Sequence, residues 1–103
     1  MAKRIAYRRF ETPDLQGEDS YVLLSGLKLG ERREYIKASK VKDFDMIEAG
    51  SALFVKHIVG WNWVDDDNNP LPLPSDDPEV INDLTDLETE GIANLLMNPD
   101  TKN

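Results

Sequence analysis

The sequence predicts an α+β fold, with an N-terminal antiparallel β-hairpin packed on three or four helices. Three observations predict it. Two short apolar stretches, residues 5–10 and 20–24, flank a polar loop that holds Pro13 and Gly17. From residue 43 onward, apolar side chains recur at helical rather than two-residue spacing. The chain has 103 residues, the length of one domain, which supports one modest core but no large enclosed active site.

The elements follow in chain order. Ile5, Tyr7 and Phe10, with Ala6 and Arg8, read as a half-buried strand. The loop 12–19 is turn-rich, because Pro13 fixes φ and Gly17 permits a positive one. Residues 20–24, Ser-Tyr-Val-Leu-Leu, form the second strand. A hairpin alone is marginal in water and must pack on something. A short helix follows over 29–38, with Gly30 as its cap, Glu31 near its start and Lys37 near its end, as the helix dipole favours.

The strongest periodicity comes next. Phe44, Ile47, Phe54, Ile58 and Trp61 fall on one side of a helix at about 100° per residue, and Leu53 and Val55 widen that face. The spacing predicts a helix over 43–59, weakened at Gly50 by about 1 kcal/mol relative to alanine and ended by Gly60. Leu71-Pro72-Leu73-Pro74 lacks alternate amide donors and so reads as an extended strap with both leucines inward. Asp76, Asp77 and Pro78 open a short helix with Val80, Ile81 and Leu84 on its apolar side. Thr85 and Glu88 form a capping box for the last helix, which carries Leu87, Ile92, Leu95 and Leu96. The whole is one domain, 1–103: a hairpin region 1–28, a helical region 29–98 crossed by a proline strap over 61–75, and a frayed tail 99–103.

Composition excludes several kinds of chemistry. The chain holds no cysteine, which removes disulfides, thiolate metal sites and cysteine nucleophiles. No apolar run approaches the roughly 20 residues of a membrane span, and the start lacks a secretory apolar stretch. A soluble intracellular protein is expected, without membrane partners. Asp65, Asp67, Asn69 and Asp76 occupy calcium-loop places, but Pro70 stands where that loop needs glycine, so a solvated acidic turn is expected and no metal. His57 is the single histidine, and no serine near it in sequence suggests a triad. No glycine loop cradles phosphate. The reading is non-enzymatic, with no catalytic residue and no cofactor.

Charge is divided along the chain. Residues 1–42 carry ten bases against six acids, and residues 43–103 carry two against fourteen, giving +4 and −12 within the net −8. The bases from Arg32 to Lys42 could meet nucleic acid, but the acidic remainder would be repelled by phosphates, so nucleic acid is not the expected partner.

The segment Ile58-Val59-Gly60-Trp61-Asn62-Trp63-Val64-Asp65-Asp66-Asp67-Asn68-Asn69-Pro70-Leu71-Pro72-Leu73-Pro74 resembles the signature of small tail assembly chaperones of long-tailed bacteriophages. The continuation from Asp77 to Leu96, and Leu27-Lys28-Leu29-Gly30-Glu31 upstream, fit the same order. The resemblance runs from about Ile5 to Met97. It implies a host-cytoplasmic protein that binds and solubilises the tape measure protein, delivers it to tail tube assembly, and uses no cofactor. An apolar groove between the helix around 44–61 and those around 80–97 is the expected binding site, with Phe54, Ile58, Trp61, Trp63, Leu87, Ile92, Leu95 and Leu96 as candidate contacts. Two other readings stay open. One is an accessory structural protein of the virion, which would be found in purified particles. The other is an acidic inhibitor mimicking DNA, which the +4 N-terminal part disfavours.

Overall fold

Strands β1 (Arg8–Glu11), β2 (Tyr21–Leu24) and β3 (Ile58–Trp61) form one antiparallel sheet in the order β1-β2-β3. The computed structural model describes residues 6–43 and 45–98, without the side chains of Met46 and Ile47. Arg8 faces Leu24 and Glu11 faces Tyr21, so the hairpin stands where the sequence placed it. Its first strand begins at Arg8; the expected start at Ile5 lies outside the described residues. The loop contains one short helix, α1 (Pro13–Gln16), with proline at its first turn. The loop is closed by Thr12 N–H donating to Ser20 O at 3.0 Å and by Ser20 Oγ donating to Thr12 O at 2.7 Å.

The largest departure concerns the expected helix over 43–59. Helix α3 (Met46–His57) starts at Asp45, whose Oδ1 accepts from Glu48 N–H at 3.0 Å, and stops two residues earlier than the pattern suggested. The chain then straightens into β3. Ile58, Val59 and Trp61 are residue types that fit a pleated surface, and β2 has a free edge to offer them. Val22 pairs with Trp61, Leu23 with Gly60 and Leu24 with Ile58, with an irregularity between Leu23 and Leu24. Gly60 is therefore a strand residue and not a helix stop. A Cβ there would sit 2.8 Å from Leu23 Cδ1. Trp61 leaves the helical stripe altogether; Phe44 lies outside the described residues, as does the Ile47 side chain.

Helix α2 (Leu29–Ser39) forms as expected, but its cap differs. Lys28 precedes it, and Lys28 N–H donates to Glu31 Oε1 at 2.9 Å. Gly30 is the second helical residue rather than the cap. No residue of α2 is buried.

The proline strap is held by the tryptophan pair. Trp61 and Trp63, two apart on an extended chain, stack with ring centroids 5.0 Å apart and planes 7° apart. Trp61 Nε1 donates to Leu71 O at 3.1 Å, and Leu71 N–H donates to Trp63 O at 3.0 Å. Leu71 and Leu73 pack against the core as expected, and Pro74 is fully buried. The acidic turn between has its own logic: Asp65 Oδ1 accepts from the amides of Asp67 at 2.8 Å and Asn69 at 2.9 Å.

After the strap, Pro78–Asp83 wind as a 3-10 helix, tighter than the helix expected there, and α4 (Asp86–Met97) follows. The capping box is present: Glu88 N–H donates to Thr85 Oγ1 at 3.1 Å, and Thr85 N–H donates to Glu88 Oε1 at 2.9 Å. Glu88 is buried, and its Oε2 accepts from Gln16 Nε2 at 2.6 Å, tying α1 to α4. The core joins the sheet to the helices through Val22, Leu24, Phe54, Ile58, Trp63, Val80, Ile81, Ile92, Leu95 and Leu96.

Candidate functional site

Small side chains on facing helices leave space between them. On α3, Gly50 and Ser51 stand one turn before Phe54; on α4, Asp86, Thr89, Glu90 and Ala93 share one face at helical spacing. The space is an open groove of about 450 Å³, whose lining also includes Ile81, Asn82, Leu84 and Tyr35 of α2. A Cβ on Gly50 would meet no heavy atom within 4 Å. The floor is apolar, from Phe54, Ile81, Leu84 and Ala93. The only charged residues of its lining are Asp86 and Glu90, and no base joins them. A smaller hollow of about 200 Å³ lies between α1 and α4, beside Thr12, Leu15, Gly91 and Leu95.

The sequence-predicted contacts divide sharply. Phe54 reaches the groove floor. Ile58, Trp63, Ile92, Leu95 and Leu96 are buried in the core. Trp61 is half-buried and stacked on Trp63. Leu87 is 62% exposed and lies outside the groove. A groove between α3 and α4 does exist, lined by Gly50, Ser51, Thr89 and Ala93 beside Phe54, Ile81 and Leu84, but Leu87, Leu95 and Leu96 take no part in it. Gly50 stood out only as a weak point of the helix, and Ser51, Thr89 and Ala93 went unnoticed, because apolar periodicity highlights large side chains. The readable signal was a Gly-Ser pair inside a helical pattern.

No protein-family model matches the chain, and no curated protein or solved structure matches it.

A second cluster was not visible in the sequence. His57, 3% exposed, lies between Ser25 and Glu31: its Nδ1 is 2.8 Å from Ser25 Oγ and its Nε2 is 3.0 Å from Glu31 Oε2. The serine expected to be missing is thus supplied from 32 residues away. Glu31 also accepts from Lys56 Nζ at 2.8 Å. The Lys56 ammonium, then the Lys28 amide, then His57 hold the Glu31 carboxyl down at about 2. An ionised Glu31 can only accept, so Nε2 carries a proton and a neutral ring accepts from Ser25 at Nδ1. The order of groups is that of a proton relay, but neither cavity opens on Ser25. Ser25 N–H also donates to His57 O at 2.9 Å, which fastens the serine to the end of α3. The cluster acts as a latch: it ties α2, none of whose residues is fully buried, to the α3–β3 junction.

The Asp-rich turn offers no comparable chemistry. Among the described residues no three Asp, Glu or His side chains converge to hold a metal ion. No helix among them is long and apolar enough to cross a membrane.

Proposed function

We propose that this chain is a non-enzymatic tail assembly chaperone of a long-tailed phage, acting in the host cytoplasm and holding an amphipathic helical segment of the tape measure protein in the α3–α4 groove. The observation that carries the reading is the groove itself, lined by Phe54, Ile81, Leu84 and Ala93 and charged only by Asp86 and Glu90. A helix laid into such a groove anchors through apolar side chains at i, i+3 or i+4. Asp86 and Glu90 favour a segment whose apolar stripe is flanked by Lys or Arg. The net charge of −8 keeps a complex with an aggregation-prone partner dispersed.

The test is co-expression with a tape measure fragment. Gly50→Leu fills the groove from an open helical position without removing a contact. The wild type is expected to keep the fragment in the soluble fraction; the variant is expected to melt no lower yet to lose that capacity. A Gly50→Leu protein that still solubilises the fragment overturns the reading. So does recovery of the chain in washed, purified virions, which would make it a structural component.

A further inference from the structure

Helix α2 turns two different faces to its surroundings. Glu31, Tyr35 and Ala38, at i, i+4 and i+7, are the half-buried positions and face the body. Leu29, Arg32, Arg33, Ile36 and Lys40 form the opposite stripe, and all five are exposed. Leu29 is 61% exposed and Ile36 40%, and Val41 just beyond the helix is 61% exposed. Leu29 and Ile36 thus lie two turns apart on one outward face, with Arg32, Arg33 and Lys40 around them.

The complementary surface is on the same chain. Residues 65–90 carry ten acids and no base. In their midst Leu87 is 62% exposed, with Asp83 and Glu90 exposed four residues before it and three after. Within one molecule the two patches do not cover each other, since the leucines of both remain open. Copies of net charge −8 repel one another overall, so association between them needs the local pairing of the basic α2 stripe with the base-free 65–90 surface; phosphates would meet that stripe but also the acids of the rest of the chain. An acidic protein surface with its own exposed leucine suits the stripe instead.

We infer that the outward face of α2 docks on the acidic surface around Leu87 of a second copy of this chain. The contact is heterologous, patch to different patch, so it propagates into rings or open chains of copies. It shares Glu90 with the groove rim but uses neither the groove floor nor the latch, and its test needs no client. Its effect follows from its chemistry: associated copies cover their exposed leucines on one another.

The experiment is sedimentation velocity on the purified full chain. The wild type is expected to sediment as oligomers in about 50 mM salt and as a monomer in about 500 mM, where exposed charges are screened. Two charge-reversed variants follow, Arg32→Glu/Arg33→Glu and Asp83→Lys/Glu90→Lys, with helical circular dichroism checked for each. Each alone is expected to associate at least about tenfold more weakly; an equimolar mixture is expected to recover oligomers, because each supplies the patch the other needs. A variant that had unfolded could not recover on mixing. A wild type that stays monomeric at low salt overturns the inference, as does a mixture that stays monomeric. Binding of α2 to duplex DNA or to phosphatidylserine vesicles, lost in Arg32→Glu/Arg33→Glu while the chain remains monomeric, overturns it in favour of that other occupant. None of these results depends on a tape measure fragment.

Discussion

Trp63 Nε1 donates to Thr12 Oγ1 at 3.1 Å, joining two buried side chains 51 residues apart. The indole can only donate, so the threonine oxygen accepts and its own proton goes to Ser20 Oγ, 2.7 Å away. Ser20 in turn donates to backbone carbonyls of the loop. This chain of hydrogen bonds fixes the hairpin loop to the strap. Thr12→Val keeps the shape and removes the acceptor, leaving an indole N–H with no partner on a side chain 1% exposed. The expected cost is about 1–3 kcal/mol, read from urea unfolding followed by tryptophan fluorescence. A loss below about 0.5 kcal/mol, the range of ordinary surface changes, would show that the bond is dispensable.

Two glycines in helices have opposite expected responses to alanine. Gly50 has open space around it, so Gly50→Ala removes unfolded-chain entropy and is expected to raise stability by about 0.5–1 kcal/mol. At Gly91 an added Cβ would stand 2.6 Å from Leu15 Cδ1 and 3.1 Å from Cδ2. Leu15 would have to leave its place between α1 and α4, so Gly91→Ala is expected to lower stability by about 1–2 kcal/mol despite the helix propensity gained. Paired thermal melts check the sign. If both variants rise, α1 is free to shift and the contact is unimportant.

These two glycines also show what the sequence could and could not disclose. Local chemistry was legible: the Thr85–Glu88 capping box, the inward leucines of the strap and the hairpin around Gly17 are set by residues a few places apart. The failure at Ile58 was one of competition. A helical stripe through Phe54 and Ile58 is real, but it ends where β2 offers a ladder, and no window of sequence around Trp61 contains β2. Burial was the other blind spot. Leu95, Leu96, Ile92 and Leu87 look alike along α4, yet three are core and one is open, and only the docking of α4 on the sheet decides which. The Ser25–His57–Glu31 latch was invisible for the same reason, since its members meet only after β2 and β3 pair.

The acidic turn is expected to behave as a backbone device. Asp65 Oδ1 is committed to two amides, and Asp65→Ala is expected to cost about 1 kcal/mol through their loss. Asp66→Ala, at an exposed neighbour with no such bond shown, is expected to leave the melting temperature unchanged. Millimolar calcium is expected to do nothing for either. A rise of several degrees with calcium and not magnesium, abolished by Asp65→Ala, would make the turn a metal loop after all.

Glu31 sets the acid response of α2. Its carboxyl is lowered from 4.5 to about 2, first by the Lys56 ammonium, then by the Lys28 amide and His57. A depressed carboxyl contributes stability above its unfolded value and loses it as pH falls through the folded one. The contribution is therefore full near neutral pH, declines below 4.5 and is gone near 2. Because α2 buries no residue, the loss falls on its attachment first and spares the sheet. Glu31→Gln is expected to destabilise the chain at neutral pH, and the gap from wild type is expected to close between 4.5 and about 2. Urea midpoints across that range measure the gap, and hydrogen exchange at the amides of α2 shows where it acts. A gap of the same size at both ends would mean the variant acts through shape rather than charge. A gap seen equally in the amides of β2 would mean α2 is not the element the latch holds.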